Sequence, residues 1–168
     1  MPDISEEKLE ELFTKVEGYE IASAGDVEAF DGTARFLGEL EEAKAALSRE
    51  CWAIATSCTL PLFEARYRPL GLPFPTTLVT ADQVTHGKPD PEPYLLAAQR
   101  LGVDAAECIV VEDAPGGLAS ARAAGAFVVS VLNSASAETV GPLADLVIPS
   151  LADVSIEACE GELVLRAR

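Results

Sequence analysis

The sequence has no apolar run long enough to cross a bilayer, and its N-terminal stretch is acidic rather than basic. A spanning helix needs about 20 apolar residues, and a secretory signal needs a basic start followed by an apolar stretch. Basic residues are scarce, 12 against 28 acids, which gives a net charge of −16. Such a surface repels nucleic-acid phosphates and anionic lipids. We therefore expect a soluble, cytoplasmic protein that binds neither nucleic acid nor membranes.

The chain also lacks cysteine pairs with metal-binding spacing. None of its four cysteines has C-x-x-C spacing, and His86 is the single histidine that would be available to complete a zinc site. This composition disfavours zinc and predicts four unpaired thiols that serve mainly as small core residues. They are Cys51, Cys58, Cys108 and Cys159.

What the chain does contain is enough apolar sequence for the core of one domain: 49% of its 168 residues. An amphipathic helix is predicted over 5–17, with Ser5 as its cap and Gly18 as its stop, and a second helix over about 33–47. Beyond them, short apolar strands alternate with glycine-stopped helices, which predicts a Rossmann-like, three-layer α/β fold with a parallel sheet covered on both faces. The predicted strands are 51–57, 76–82, 107–113, 126–132 and 144–151, with 161–168 as a possible edge strand, and the predicted helices between them are 60–71, 92–102 and 115–125.

Ligands of such folds bind at the carboxyl ends of the strands. Glu112 and Asp113 follow an apolar strand and precede a Pro-Gly-Gly turn. Two adjacent carboxylates there are costly unless a cation or hydrogen-bond donors meet them, and Mg²⁺ is suited to such a position. The alternative is that Asp113 simply caps the following helix.

Two further groups follow predicted strands. Thr56 and Ser57 offer hydroxyl and N–H groups that suit phosphate oxygens at a helix start, although helix capping explains them as well. Lys88 lies in HGKPDPEPY, whose prolines stiffen the loop, so its ammonium can be held as a point charge for phosphate. The alternative for Lys88 is a solvated loop lysine, and we interpret His86 as an ordinary loop residue.

The order of these groups is more specific than any one of them. Hydroxyl groups at a strand end are followed about 30 residues later by a lysine, and about 25 residues after that by the acid pair. In WAIATS, HGKPDPEPYLLAAQRLG and IVVEDAPGGLASARAAG, the sequence resembles the haloacid dehalogenase-like superfamily of phosphohydrolases, over roughly residues 27–165. The segments GKPDPEPY and EDAPGG are most similar to those of small sugar- and polyol-phosphate phosphatases, such as the phosphatases that act on glycerol phosphate and 2-deoxyglucose 6-phosphate.

The resemblance implies a role for each matching residue. Thr56 and the Ser57 backbone would bind the transferring phosphoryl group of a small phosphorylated metabolite, and Lys88 would neutralise its charge. Asp113 would ligate Mg²⁺, and Glu112 would do so directly or through water. Cys58 departs from the family, which more usually has glycine or serine in this loop.

The family's first motif, a strand ending in D-x-D-G-T that supplies the nucleophilic aspartate, is not found. Its nearest match has Ala29 at the nucleophile position, and we interpret Asp31, Gly32 and Thr33 as the turn that starts a helix. Residues 1–25 then resemble the tail of the family's helical cap, with 26–168 as the core domain, so that the chain begins inside the cap. In this interpretation the chain is a fragment, a splice form or a degenerate paralogue.

A missing first strand has a structural consequence. In the family it lies between the strands that correspond here to 51–57 and 107–113. Without it, these strands either pair directly, flank a gap filled by something else, or leave two open edges. We predict a gap or rearrangement, with no regular strand from residues 18–30.

For function, the resemblance implies a Mg²⁺-dependent phosphatase working through an aspartyl-phosphate, although this chain shows no nucleophile. The alternative is a non-catalytic phosphate- or metal-binding, or regulatory, protein.

Overall fold

The fold contains short parallel strands separated by helices, as the sequence pattern predicts. A computed structural model describes residues 4–168, and none of the helices in that range is long and apolar enough to span a membrane. The helices are α1 Glu6–Ala22, α2 Thr33–Leu47, α3 Leu60–Tyr67, α4 Glu92–Leu101, α5 Pro115–Ala123 and α6 Ala137–Val140. The strands are β1 Ala53–Ala55, β2 Thr77–Val79, β3 Ile109–Glu112, β4 Phe127–Val131, β5 Leu146–Ile148, β6 Val154–Cys159 and β7 Glu162–Ala167.

The parallel strands form two separate sheets. One pairs β1 with β2, and the other has the order β3-β4-β5. Within residues 4–168, no strand pairs with the edge of β1 opposite β2 or with the edge of β3 opposite β4. Both strands instead line one cleft of about 870 Å³, which we call the inter-sheet slot. The prediction of a gap between these two strands is confirmed.

The two faces of the sheets are covered by different elements. Alternate side chains of a strand point to opposite faces, and on β4 Val129 packs in a cluster with α2 and β6 whereas Val128 packs in a cluster with α5 and α6. Tyr94 of α4 joins the second cluster. The protein therefore has three layers, with α2 and β6 on one face and α4 and α5 on the other.

The D-G-T triad begins a helix, as predicted. Gly32 is the N-cap of α2 at φ +82°, and Thr33 N–H donates to Phe30 O at 3.1 Å. Gly32 also lies against the backbone of Ala152, so a Cβ there would overlap it. A Gly-specific turn therefore accounts for this triad, and residues 18–30 form the end of α1, a short 3₁₀ turn and extended coil rather than a strand.

Helix α1 is longer than the sequence predicts. Ser5 caps it by accepting from Lys8 N–H, as expected, but the helix passes through Gly18 and ends at Ala22, so the predicted stop is wrong. An interior glycine costs only about 1 kcal/mol, and the last turn gains a contact because Glu20 pairs with Arg66 of α3 at 3.0 Å. The apolar face of α1 is largely exposed: Phe13 is 70% accessible.

The C-terminal segment forms a hairpin outside the parallel sheets. The predicted edge strand at 161–168 is confirmed as β7, but its partner β6 was not predicted. Glu160 and Gly161 form the turn at φ +52° and +89°, which suits the twist of a two-residue hairpin. Arg35 of α2 holds the start of this hairpin, donating to the carbonyl oxygens of Leu151 and Val154 at 2.7 Å each.

Candidate active site

Lys88 connects the carboxyl ends of the two parallel sheets. Its Nζ donates to Ala55 O at the end of β1, at 3.0 Å, and pairs with the carboxylate of Glu112 at the end of β3. Both charged side chains are only 11% exposed. The interpretation of Lys88 as a solvated loop residue is therefore wrong, and the lysine lies where the strand-end groups meet.

Glu112 is held on several sides. Besides Lys88, the Tyr94 hydroxyl of α4 donates to the same oxygen, and Asp113 N–H donates to the other at 3.2 Å. Burial, the charge of Glu112 and this hydrogen bond raise the pKa of Tyr94, so the phenol stays a donor. The ammonium of Lys88 also lies 4.7 Å from the centroid of the Tyr94 ring. The buried acid is therefore compensated by charge and by hydrogen bonds, as such a group must be.

Gly117 makes room for this carboxylate. A Cβ built at Gly117, in the first turns of α5, would overlap the carboxyl carbon and both oxygens of Glu112. Its neighbour Gly116 has open space at the same point. Close approach of the helix to Glu112 thus requires glycine at one position of the Pro-Gly-Gly turn and not at the other.

Asp113 has a different environment. It is half-buried, and it does not cap α5, because the N-cap is Ala114 and no side chain makes a capping hydrogen bond there. The capping alternative is therefore wrong. Among the described residues no protein group donates to the Asp113 carboxylate, whereas its own carbonyl accepts from Ser134 Oγ at 2.9 Å. A half-buried carboxylate with its oxygens free fits a hard cation such as Mg²⁺.

Thr56 and Ser57 follow β1 at the same sheet edge. Thr56 N–H donates to Val79 O at 2.9 Å, which continues the pairing with β2, and its Oγ1 accepts from Cys58 N–H at 3.1 Å. The hydroxyl therefore shapes the loop, and no side chain caps the following helix α3. Ser57 is exposed at the tip of the loop, and Cys58 is a half-buried free thiol 3.7 Å from the Arg66 guanidinium.

His86 lies outside the Lys88 cluster. It groups with Asp90 and Glu92, with one ligand atom of each within 4.8 Å of the others. Ordinary capping explains the group: Glu92 accepts from the N–H groups of Thr85 and His86 at 2.8 Å, and Asp90 accepts from Glu92 N–H. The imidazole is largely exposed and stays an ordinary loop residue.

The sequence also matches a known family of hydrolases. The haloacid dehalogenase-like hydrolase family matches residues 2–125. The chain belongs to the haloacid dehalogenase-like hydrolases. Hexitol phosphatase A from Escherichia coli (strain K12) is 39% identical to this haloacid dehalogenase-like chain over 152 residues, which cover 90% of it and 68% of the relative.

Two other similarities extend the comparison. Glycerol-1-phosphate phosphohydrolase 2 from Saccharomyces cerevisiae is 39% identical over 93 residues, 51% of this chain and 37% of that protein. A hydrolase from Pseudomonas syringae has the same fold, with a TM-score of 0.81 and 27% identity over 90% of this chain and 68% of its own. The chain is thus a haloacid dehalogenase-like protein of the sugar-phosphatase type, and it spans about two thirds or less of these relatives.

Two residues that contact Glu112, Tyr94 and Gly117, were not predicted from the sequence. Tyr94 lies on a helix that was predicted correctly, but a single tyrosine in an amphipathic helix gives no sign of a strand-end partner. Gly117 had a usable signal, because two consecutive glycines inside a predicted helix are costly unless a close contact requires one of them.

Proposed function

We propose that this chain carries the phosphate- and metal-binding part of a phosphatase for a small sugar or polyol phosphate. The observation that carries the proposal is the position of Lys88, which joins the ends of β1 and β3 where Thr56 and Asp113 follow. The phosphatase names of the relatives support the reaction class. The net charge of −16 makes a local cation necessary for any anionic substrate.

In this proposal each residue acts through groups described above. The Thr56 hydroxyl and the Ser57 backbone would hold phosphate oxygens, and Lys88 would offset their charge. Asp113 would hold Mg²⁺, which when bound neutralises negative charge on the phosphoryl group. Glu112 is engaged by Lys88 and Tyr94. It would therefore orient the lysine and reach the metal only through water.

The covalent step needs an aspartate nucleophile, which would form and then lose an aspartyl-phosphate. Among residues 4–168 we assign no such residue, because the only D-G-T triad starts helix α2 and has Ala29 in the nucleophile position. We therefore expect little or no turnover from these 168 residues alone. We also propose that residues 1–25 belong to a helical cap and 26–168 to the core domain, consistent with the exposed apolar face of α1.

The second candidate function is non-catalytic binding of phosphate or a divalent metal, in a regulatory role. This function is favoured because the D-G-T triad starts helix α2 and leaves the nucleophile unassigned, whereas the binding groups are present. This candidate and the first share Thr56, Lys88 and Asp113 and differ only in turnover.

Two measurements on the 168-residue protein test whether this chain turns over a phosphate ester and whether it binds Mg²⁺ and phosphate, as both functions require. Hydrolysis of p-nitrophenyl phosphate with Mg²⁺ is expected to be at background. Activity that is lost in Asp113→Ala would overturn the expectation of an inert chain. Calorimetric titration with Mg²⁺ and with inorganic phosphate is expected to show binding of both.

The matched variants are Asp113→Asn and Asp26→Asn, which remove one carboxylate each. Asp26 is exposed in the turn after α1, so its variant is expected to bind Mg²⁺ as the parent does, whereas Asp113→Asn loses the binding heat. Equal Mg²⁺ affinity in the two variants would show that Asp113 is not the ligand, and the proposed Mg²⁺ site would then be wrong.

A further inference from the structure

The outer strand edges of this protein differ in how they are protected. An open edge presents unpaired N–H and C=O groups to other chains, and short strands or covering side chains prevent pairing there. Strand β2 has only three residues, and Arg100 donates to the main-chain oxygen of Leu78 on it. Strand β5 also has three residues. The outer edge of β6 is covered by helix α2, because Ile156 N–H donates to the carboxylate of Glu39 at 3.0 Å.

Strand β7 has a longer edge without such cover. It has six residues, Glu162–Ala167, and within residues 4–168 it pairs with β6 alone. Arg168 N–H donates to Asp153 O at 2.8 Å, which continues the ladder between the two strands. Because main-chain groups alternate along a strand, those of Leu163 and Leu165 face away from β6. In the described part of the chain nothing bonds to these groups, so they form an open edge.

The side chains of β7 are complementary to a second copy of the same strand. Leu163 and Leu165 pack into the core, so Glu162, Val164 and Arg166 lie on the other face of the hairpin. If an antiparallel copy meets β7 with a two-fold axis through Val164, each Glu162 lies opposite the partner's Arg166. An axis at Leu163 or Leu165 would instead place Val164 opposite a charged side chain. Opposite charges across an antiparallel pair stabilise it, so the charge pattern favours one register.

The open main-chain groups fit the same register. With the axis at Val164, Leu163 lies opposite the partner's Leu165, and both residues have outward-facing N–H and C=O groups. Two such pairs form, and each exchanges two hydrogen bonds. The product is a four-stranded antiparallel sheet in which β6 of each copy is the outer strand. Because α2 covers the outer edge of β6, the association closes at two copies.

The local charge of β7 allows this contact in an acidic protein. The net charge of −16 repels a second copy at long range, but salt screens charges more than about 8 Å apart at physiological ionic strength. Residues 162–168 carry two arginines and one glutamate, so the edge itself is not acidic. Arg166 pairs with Glu157 of β6, and its guanidinium has further N–H groups for a second carboxylate.

We propose that two copies of this protein associate through β7, as an antiparallel two-fold dimer with Val164 at its axis. Four main-chain hydrogen bonds and two ion pairs between Glu162 and Arg166 hold the copies together. The interface is small, so we expect a reversible dimer with a Kd on the order of 10–100 µM. The proposal does not depend on the phosphatase proposal, because the dimer requires neither phosphate nor metal.

Analytical ultracentrifugation of the 168-residue protein measures the association. As the concentration rises through Kd, the mean mass should increase from 17.7 kDa toward twice that value. Glu162→Arg and Arg166→Glu each place like charges opposite each other twice, so each variant should dimerise about tenfold more weakly than the parent, or worse. Glu138→Arg makes the same change in charge as Glu162→Arg, at an exposed position on α6, and should dimerise like the parent.

A mixture of the two charge variants separates strand pairing from non-specific association. Glu162→Arg and Arg166→Glu are complementary to each other in the proposed register, so an equimolar mixture should form a heterodimer about tenfold more tightly than either variant self-associates. Formation of this heterodimer also shows that both variants are folded. Glu138→Arg mixed with Arg166→Glu has the same total charge but retains one like-charge contact, and this pair should bind several-fold more weakly than the complementary pair.

Cross-linking checks the position of the axis. Val164→Cys brings two thiols together at the axis, so oxidised glutathione should link the copies covalently. Ser155→Cys lies on the same face of the hairpin but on β6, and should link no more than the parent with its own thiols. A mean mass that stays at 17.7 kDa up to about 1 mM would overturn the proposal. So would equal dimerisation of Glu162→Arg and the parent, failure of the complementary mixture to associate, or equal cross-linking of the two cysteine variants.

Discussion

Substitution of Gly117 by alanine tests the site through packing alone. Its new methyl group would overlap the Glu112 carboxylate, whose position is fixed by Lys88 and Tyr94. The carboxylate can move away only by giving up at least one of these contacts. A hydrogen bond to a charged group contributes about 1.5–3 kcal/mol, and alanine is about 1 kcal/mol better than glycine inside a helix. The net loss of stability should be about 0.5–2 kcal/mol, and larger if both contacts break.

Gly116→Ala is the matched control, because it lies beside Gly117 in α5 and has open space around it. It should be neutral or stabilising by up to about 1 kcal/mol. Urea unfolding followed by circular dichroism gives the free energy of unfolding of both variants. In thermal unfolding, a change of 1 kcal/mol in that free energy corresponds to about 2–4 °C in Tm for a chain of this size. A second comparison uses the Glu112→Ala background, where Gly117→Ala should no longer destabilise. If the two glycine variants were equally stable, or if the cost persisted without Glu112, the packing argument for Gly117 would be wrong.

Three further predictions concern other parts of the molecule. Burial alone would raise the pKa of Glu39, but hydrogen bonds from Ile156 N–H and Arg35 outweigh it and lower that pKa. The ionised Glu39 therefore stabilises the fold above the ordinary glutamate pKa of about 4.3, and this stabilisation is lost as the pH falls through the lower pKa of the folded state. The urea midpoint should fall less steeply between pH 5 and pH 3 in Glu39→Gln than in the parent protein. An equally steep fall in the two proteins would contradict this. Arg35→Met should cost about 1–3 kcal/mol in urea unfolding, because it leaves carbonyl oxygens at the start of the β6–β7 hairpin without their donor; a loss below 0.5 kcal/mol (roughly) would place this contact among weak surface pairs. Gly18→Ala should raise stability by about 0.5–1 kcal/mol, because helix α1 passes through this residue with open space around it; a loss of stability would mean that the helix ends there after all.

Much of the fold follows from the sequence because its parallel strands are short, apolar and separated by glycine-stopped helices. Gly102 ends α4 in the left-handed region, as the pattern predicts, and Gly71 does so at the end of the 3₁₀ turn that follows α3. Gly18 does not, because propensity is weak and the last turn of α1 gains a tertiary ion pair through Glu20. Strand β6 was missed although its alternating residues and the Glu160-Gly161 turn carried a readable hairpin signal.

The site was less predictable than the fold. Position along the chain placed Glu112, Asp113 and Thr56 at strand ends, because parallel strands share one carboxyl edge. It did not indicate that Lys88 contacts a strand carbonyl, nor that Tyr94 shares the same acid. Those contacts depend on how the 84–91 loop and α4 lie over the sheet, which is a tertiary arrangement that no local pattern encodes.

The Lys88–Glu112 pair connects the two parallel sheets at one end of the inter-sheet slot. A strand between β1 and β3 would normally fix their separation through a row of backbone hydrogen bonds. Here one buried cation fixes it at the carboxyl end, by donating to β1 and pairing with β3. Loss of one partner of a buried pair costs more than the pair contributes, because the other charge is left uncompensated. The same lysine that the phosphatase proposal assigns to phosphate therefore also has a structural role. A Lys88 variant has to be tested for unfolding before a change in phosphate binding is attributed to chemistry.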